Sequence, residues 1–406
     1  MKKYGLIGEK LGHSYSPEIH ALLGNYEYKL YPMPREAVGD FVQNGGLSGF
    51  NVTIPYKETV MPFLDRISPE ARRIGSVNTV VRESDGSTSG YNTDYFGFSV
   101  ELGDVSRLKG KKALVLGSGG ASVTVVEALR QLGAREVVVV SRSGENNYEN
   151  LNRHADAALI VNTTPVGMYP NNGKAALSLG GFPSLRGVLD VVYNPARTAL
   201  ILDAERRGIP CLSGLRMLVA QAKASAEQFT GTEIPDSRVE EIFRALSAET
   251  GNVVLVGMPG SGKSAVGRAV AEALGRPFLD ADREIVRAAG MEIPEIFAAQ
   301  GEGAFRDLES RVLAELGKQS GCVIATGGGS VLREENYDAL HQNGTIFWLQ
   351  RDLNALPRDG RPLSQGADLA AMYAARKPRY ERFADHAVSN DGPLQDTVRQ
   401  ILDAVR

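Results

Sequence analysis

The sequence predicts an α/β protein with parallel sheets. Strand-like apolar runs alternate with segments of helical period almost throughout: "KKALVLG", "TVVEALRQLG" and "EVVVVS" in the middle of the chain, then "NVVLVG", "AVGRAVAEALG" and "CVIATGGG" further on. Glycine-rich strand-to-helix turns at Gly117 and again at Gly257 imply two separate nucleotide-binding sheets. At 406 residues the chain is too long for one ordinary core, so two or three domains are expected.

Composition narrows the class. Hydrophobic residues make up 43%, charged residues 23%, and the net charge is −3. That balance suits a globular protein and lacks the basic excess of a nucleic-acid binder. The segment "MKKYGLIGEKLGHSYSPEIH" holds no apolar run of signal length, and no uninterrupted apolar stretch of 18 residues occurs, so a cytoplasmic protein without membrane contact is expected. Cys211 and Cys322 form no C-x-x-C pair or Cys/His cluster, which fits a reducing compartment and two buried small residues rather than a structural zinc.

Taken in order, residues 1–100 form a first domain, completed by 214–247. Its loops "LGHSYSPEIH", "NVTIPYKE", "GSVNTVV" and "GYNTDYFG" concentrate hydrogen-bonding residues beside glycine or proline turns. Lys57 and Asp94 come from two of these loops, and a lysine beside a carboxylate can relay a proton to a reacting carbonyl. An exposed lysine and a helix-capping aspartate would explain the same letters. "GYNTDYFGFSVEL" reads as the entry to a helix leading into the second domain, 101–213.

That second domain opens with "VLGSGGAS" between a strand and a helix. Gly117 permits the tight turn, Gly119 and Gly120 let backbone approach a pyrophosphate, and Ser122 stands where the dinucleotide fingerprint has its third glycine. After the next strand comes "VSRS", whose Arg142 suits a 2′-phosphate, favouring NADP over NAD. "SRVEEIFRAL" reads as a helix, and "SAETGN", 247–252, as a short linker reaching at most about 20 Å when extended.

The third domain, 252–406, begins with "GMPGSGKS", which fits G-x-x-x-x-G-K-[S/T] at all its fixed positions and lies between a strand and a helix. In this P-loop, backbone N–H groups around Gly260 and Gly262 cradle phosphates, Lys263 reaches the β and γ groups, and Ser264 binds Mg²⁺, making ATP the expected donor. "FLDAD" predicts a strand end with Asp280 and Asp282 on one face, one for the metal and one for an acceptor hydroxyl. "EGAFRDLE" offers Arg306, "ATGGGSV" offers a bare backbone at Gly327 to Gly329, "GRPLSQG" reads as a mobile loop with Arg361, and "AARKPRYERFAD" carries Arg376. Arginines beside a P-loop suit the neutralisation of transferring charge.

Residues 1 to about 247 resemble shikimate dehydrogenase from end to end, through the four loops above together with "NTTPVGM", "DVVYNPARTALI" and "GLRMLVAQA". The resemblance implies that Ser14 and Ser16 hold the substrate carboxylate, that Thr53, Asn78 and Gln221 contact its hydroxyls, and that Lys57 and Asp94 form the catalytic pair. It also implies that Tyr193 and Gly214 lie where substrate meets nicotinamide, with Asn162 and Thr163 flanking the cofactor and His13 structural. Three departures from the family pattern stand out: Ser141-Arg142-Ser143 lacks the usual second arginine, loosening NADP preference, Arg216 replaces a common glycine, and the stretch from His20 to Asn51 is short.

Residues 252–406 resemble shikimate kinase. There the resemblance implies that Asp280 supports Mg²⁺, Asp282 engages the 3-hydroxyl, Arg306 and Arg376 clamp the carboxylate, and Gly328 and Gly329 lie against the ring. It further implies that Arg361 closes on the transferring phosphate and Arg358 lies near the adenine, while Ser364 departs from the family's "RPLL". Together the expected fold is a shikimate-dehydrogenase-like substrate domain plus a Rossmann NADP domain, followed by a P-loop kinase domain with a parallel sheet. The expected activity is reduction of 3-dehydroshikimate to shikimate, then its phosphorylation, by a monomer or homodimer. Two other readings fit part of the pattern: a quinate-type dehydrogenase fused to a drifted small-hydroxy-acid kinase, and a non-catalytic shikimate-binding regulator.

Overall fold

A computed structural model describes residues 2–12, 14–102, 109–356 and 369–405. The chain divides into two compact units, one of Met1–Met168, Lys174–Asn194 and Leu200–Ala245, the other of Tyr169–Gly173, Pro195–Ala199 and Leu246–Arg406. Among the described residues, no helix is long and apolar enough to cross a membrane.

The first unit holds two sheets. The N-terminal one comprises β1 (Lys3–Gly8), β2 (Glu27–Pro32), β3 (Gly49–Val52), β4 (Arg66–Ile67), β5 (Thr79–Arg82) and β6 (Thr88–Tyr91), in the order β2-β1-β3-β5-β6-β4. β1 pairs parallel with β2 and β3, whereas β5 is antiparallel to both its neighbours. Its short helices are α1 (Ser16–Leu23), α2 (Val38–Asn44) and α3 (Pro69–Ile74). Ile7, Val38, Val42, Phe50, Val52 and Val80 form the core beneath them.

The chain then enters α4 (Thr93–Leu102) and a second sheet of β7 (Lys112–Leu116), β8 (Glu136–Val140), β9 (Leu159–Asn162), β10 (Gly187–Asp190) and β11 (Cys211–Ser213). All five strands run parallel in the order β11-β10-β9-β7-β8. By chain position that is 2-1-3-4-5, so the winding reverses between β7 and β9, and the crevice at their C-terminal ends is where open α/β sheets bind ligands. Helices α5 (Gly120–Gln131), α6 (Ala199–Arg206), α7 (Leu215–Thr230) and α8 (Ser237–Thr250) follow. α7 returns to the first sheet, where Tyr4 O–H donates to Phe229 O at 2.7 Å and the two rings stack with centroids 4.6 Å apart.

The predicted linker at 247–252 takes another form. "ALSAET" continues the helix-favouring run before it, so α8 extends through Thr250, whose hydroxyl donates to Leu246 O at 2.7 Å. Only Gly251 separates α8 from the next strand.

The second unit has a wholly parallel sheet of β12 (Asn252–Val256), β13 (Phe278–Asp280), β14 (Val323–Ala325), β15 (Gly344–Gln350) and β16 (His386–Ser389), ordered β13-β14-β12-β15-β16. Around it lie α9 (Lys263–Leu274), α10 (Ala281–Ala289), α11 (Ile293–Gly317), α12 (Glu335–His341), α13 (Leu369–Phe383) and α14 (Leu394–Val405), with α11 broken at Gly301, φ +80. Alternate residues of the central strand feed opposite cores: Val254 and Val256 join Ile324, Ile346 and Trp348, while Val253 and Leu255 join Val266, Val270 and Phe347. Burial on both faces is why this strand reads as one apolar run rather than an alternating one. Each such side chain contributes about 1.5–3 kcal/mol by leaving water, more than the net gain from a typical backbone hydrogen bond, so burial fixes this strand's central place.

α4 and α7 pack closely at Gly97, where an added Cβ would lie 2.8 Å from Met217 O and 3.0 Å from Gln221 Cβ. Gly97→Val should therefore destabilise the first unit by about 1–3 kcal/mol through overpacking. The only tryptophan, Trp348, lies buried in the second unit and reports on it alone. Thermal unfolding should show a lowered circular-dichroism midpoint with an unchanged tryptophan-fluorescence midpoint; unchanged midpoints in both would contradict the packing argument.

Candidate functional sites

In the first unit, the loop after β1 delivers Ser14 and Ser16 side by side at the head of α1. Ser16 N donates to Ser14 Oγ at 3.2 Å and the two hydroxyls are 3.1 Å apart. α1 is anchored from below by His20, which is buried, stacks on Tyr28 with centroids 3.9 Å apart, and hydrogen-bonds Tyr26 Oη through Nδ1 at 2.7 Å.

β3 runs into a turn in which Thr53 N donates to Ile7 O and Tyr56 N to Thr53 O, and Lys57 leaves that turn with its carbonyl bound by Val77 N at 2.9 Å. Asn92 Oδ1 accepts from Tyr95 N at 3.1 Å at the start of α4, the turn that carries Asp94. These two backbone anchors bring Lys57 Nζ to 2.5 Å from Asp94 Oδ2, with the side chains only 16% and 14% exposed. Asn78 Nδ2 lies 3.4 Å from Gln221 Oε1, so the amides on β5's approach and on α7 face each other beside that pair.

The glycine turn after β7 meets β9 at the reversal point. Gly117 has φ +107, and a Cβ there would lie 2.9 Å from Thr163 Oγ1. Gly119 caps α5 in open space, and a Cβ on Gly120 would approach Lys57 Cδ at 4.0 Å. The free N–H groups at the head of α5 therefore open beside the Lys57 side chain, a geometry that fits a pyrophosphate on the helix and a redox ring near the pair. Ser122 is buried in the first turn of α5.

Asn162 and Thr163 are both committed to the protein. Asn162 Nδ2 donates to Asp190 Oδ1 at 2.9 Å, its Oδ1 accepts from Thr164 Oγ1 at 2.7 Å, and Thr163 Oγ1 donates to Leu116 O at 2.6 Å. They shape the loop after β9 instead of offering free side-chain groups. The Tyr193 ring lies 5.5 Å from that of Tyr15, and burial raises its hydroxyl to about 12. Gly214 caps α7 with its Cα against Val191 O, leaving no room for a side chain. Arg142 is exposed beyond β8, and Arg216 pairs with Glu240 at 3.3 Å.

In the second unit, Gly257, Gly260 and Gly262 take φ of +149, +84 and +97, which only glycine adopts readily, and α9 begins at Lys263. Lys263 Nζ spans its own loop, donating to Gly257 O at 2.9 Å and Met258 O at 3.0 Å, and Asn390 Nδ2 holds Ser261 O at 2.7 Å. Ser264 Oγ donates to Asp280 Oδ2 at 2.8 Å, a pair of hard oxygen donors that fits Mg²⁺.

The predicted strand register of the two aspartates is corrected. β13 ends at Asp280, which caps α10 by accepting from Asp282 N at 3.2 Å, so Asp282 sits in the helix's first turn. Capping wins because aspartate at this position satisfies an orphan N–H that a continued strand would leave to water. Asp282 still faces the glycine run: a Cβ on Gly327 would lie 3.0 Å from its Oδ1 and 2.7 Å from Glu309 Oε1. Arg306 Nη1 binds Glu309 Oε2 at 2.6 Å, and Gly328 O accepts from Arg376 Nη1 at 3.0 Å and Tyr380 O–H at 2.6 Å. A side chain on Gly329 would run into the Arg306 guanidinium, and Pro259 of the P-loop packs on Gly328.

Residues 6–80 match the family model described as shikimate dehydrogenase substrate binding domain, and residues 259–406 that described as shikimate kinase. The shikimate dehydrogenase (NADP(+)) of Clostridium perfringens is 38% identical over 268 residues, 61% of this chain and 98% of the relative. The chain belongs to the shikimate dehydrogenase family. It carries a shikimate kinase domain as well. A chorismate mutase/shikimate 5-dehydrogenase fusion protein from Clostridium acetobutylicum has a similar structure, with TM-score 0.57, 37% identity, and coverage of 60% of this chain and 97% of that one. The shikimate 5-dehydrogenase of Thermus thermophilus in complex with NADP(H) and shikimate gives TM-score 0.55 at 33% identity, covering 60% of this chain and 99% of that one.

Among the residues expected for the dehydrogenase, Ser14 with Ser16, Lys57 with Asp94, and Asn78 with Gln221 stand in direct contact. Among those expected for the kinase, Arg306, Gly329, Gly328 and Arg376 form one chain of contacts. His13, Arg358, Arg361 and Ser364 lie outside the described residues. Sequence reasoning missed Glu309 and Tyr380. The i, i+3 spacing of Arg306 and Glu309 in "RDLE" signals their pairing, but not that Glu309 is buried, which pushes its carboxyl above the usual range while Arg306 pulls it back. Cys322 is buried as expected, whereas Cys211 is only partly so.

Burial holds the His20 imidazole far below its ordinary 6.5, at about 3. Above pH 6.5 both folded and unfolded states are neutral; between the two values only the unfolded state binds the proton, so stability is lost as pH falls. The first unit should lose about 2 kcal/mol through this group by pH 5. His20→Gln should flatten that part of the pH dependence of the circular-dichroism midpoint; an unchanged slope would place the titration elsewhere.

Proposed function

We propose that this chain catalyses two consecutive reactions, reduction of 3-dehydroshikimate to shikimate with NADPH and transfer of the ATP γ-phosphoryl group to the shikimate 3-hydroxyl. The observation that carries the first is the Lys57–Asp94 pair at 2.5 Å beside the head of α5. On this reading Ser14 and Ser16 donate to the ring carboxylate, while Thr53, Asn78 and Gln221 hold the hydroxyls. NADPH supplies the hydride to C3. The Lys57 ammonium gives its proton to the oxygen that gains charge, and Asp94 holds Lys57 in line. Gly117, Gly119, Gly120 and Ser122 admit the pyrophosphate, Arg142 takes the 2′-phosphate, Asn162 and Thr163 shape the cofactor's wall, and Tyr193 and Gly214 border ring and nicotinamide.

In the second reaction Gly260, Gly262 and Lys263 grip the ATP phosphates, and Ser264 with Asp280 would hold Mg²⁺, which spreads the phosphate charge. Asp282 orients the 3-hydroxyl and takes its proton as the new P–O bond forms and the bond to ADP breaks. Arg306 and Arg376 hold the carboxylate, with Gly328 and Gly329 against the ring, a bidentate cationic grip that suits a planar anion. Arg361 and Arg358 complete the nucleotide site on the family pattern. Two cysteines outside any disulfide support a cytoplasmic enzyme, which on this reading acts on small molecules as a monomer or homodimer.

Single variants separate the two halves. Lys57→Ala should lower kcat of NADPH-dependent reduction by about 10²–10⁴-fold and leave the kinase rate unchanged. Lys263→Ala should do the reverse. Reduction that survives in Lys57→Ala would remove the catalytic assignment.

A further inference from the structure

Behind the substrate-facing residues of the first unit lie three hydroxyls to which the reaction just described gives no task. Thr79 Oγ1 on β5, Thr93 Oγ1 at the start of α4 and Ser225 Oγ on α7 are mutually hydrogen-bonded, at 2.8 Å for Thr79–Ser225, 2.9 Å for Thr93–Ser225 and 3.1 Å for Thr79–Thr93. All are buried, with Thr79 and Ser225 at 0% exposure.

The direction of donation is set from outside the cluster. Tyr28 O–H donates to Asn51 Oδ1 at 2.8 Å, which turns Asn51 Nδ2 towards Ser225 Oγ at 2.8 Å and Thr79 Oγ1 at 3.1 Å. Asn51 Nδ2 also reaches Asn78 O at 3.2 Å, and with an amide donor at its back the cluster's own protons pass onward. One outlet is Gln221 O, 3.0 Å from Ser225 Oγ, in the helical turn that carries the Gln221 side chain. A second is Asn78 Oδ1, which lies 3.1 Å from both Thr79 Oγ1 and Thr93 Oγ1 and accepts from Thr93 N at 2.7 Å, and a third is Gln221 Oε1, 3.5 Å from Thr93 Oγ1. Surrounded by donors on that side, the Asn78 amide has one acceptable orientation, with Nδ2 towards Gln221 and the substrate pocket. The flipped amide would set N–H against N–H.

Resting on the reading of this unit as a shikimate dehydrogenase, we propose that Thr79, Thr93 and Ser225 are positioning residues that lock the donor side of Asn78 towards the substrate. The site then selects a ring hydroxyl that accepts a hydrogen bond at that point. The Thr93 backbone N–H fixes the acceptor side of Asn78, and the hydroxyls oriented through Tyr28 and Asn51 reinforce it from behind.

The test is NADP⁺-linked oxidation of shikimate by the full chain without ATP. Thr79→Val keeps the shape and removes the hydroxyl; Thr79→Ser keeps the hydroxyl and removes a methyl. Thr79→Val should raise KM for shikimate about tenfold with KM for NADP⁺ unchanged, and Thr79→Ser should stay within about twofold of the parent chain. A Thr79→Ser KM equal to or above that of Thr79→Val would mean that Thr79 only packs, and would overturn the proposal. If the parent chain does not oxidise shikimate, the dehydrogenase reading itself fails and the positioning role falls with it.

Discussion

The contact between Lys57 and Asp94 is the constraint around which the first unit is arranged. Two opposite charges held at 2.5 Å and mostly out of water are stable only while both are present, because removal of one leaves the other buried without compensation. Keeping them together requires the turn after β3 and the first turn of α4 to be fixed independently. The backbone bond from Val77 to Lys57 O does the first, and the Asn92 cap does the second. Gly97 then lets α7 approach α4, so that Gln221 arrives beside the same pair. On the proposed reading a lysine thus constrained offers one proton in one direction, which is what reduction of a ring ketone demands.

The two units meet the same kind of ligand with different chemistry. On the proposed reading the first offers neutral donors, the Ser14 and Ser16 hydroxyls and the amides of Asn78 and Gln221, with one ammonium kept for the proton. The second offers the guanidinium groups of Arg306 and Arg376 and a glycine run that brings backbone close. Both readings hold the same carboxylate, by neutral hydroxyls in the first unit and by guanidinium groups in the second, where the reaction brings a further, highly charged phosphate group to the site. A hydroxyl made by one reaction is the acceptor of the next, which gives both units a shared intermediate.

The most local features were the most legible. The turns at Gly117 and Gly257 depend on φ values that glycine alone adopts freely and on helix starts a few residues away, so the letters carry the geometry. The Asp280–Asp282 register was misread because strand alternation and helix capping compete for the same aspartate, and the cap prevailed. The helical form of 247–250 was less legible, because the same letters read as a short connection and as the last turn of α8 before Gly251. The Thr79–Thr93–Ser225 cluster left no trace in the sequence, since its members come from three elements and nothing in their spacing distinguishes them from ordinary small polar residues. Glu309 lies between these cases: its spacing from Arg306 was visible, its burial was not.

The most direct measurement is one incubation of the purified chain with 3-dehydroshikimate, NADPH, ATP and Mg²⁺, following NADPH loss and identifying products by mass spectrometry. The account predicts NADPH consumption with shikimate 3-phosphate as the end product. Shikimate accumulating without a phosphorylated product would contradict the kinase assignment, and absence of NADPH consumption would contradict the role given to Lys57 and Asp94.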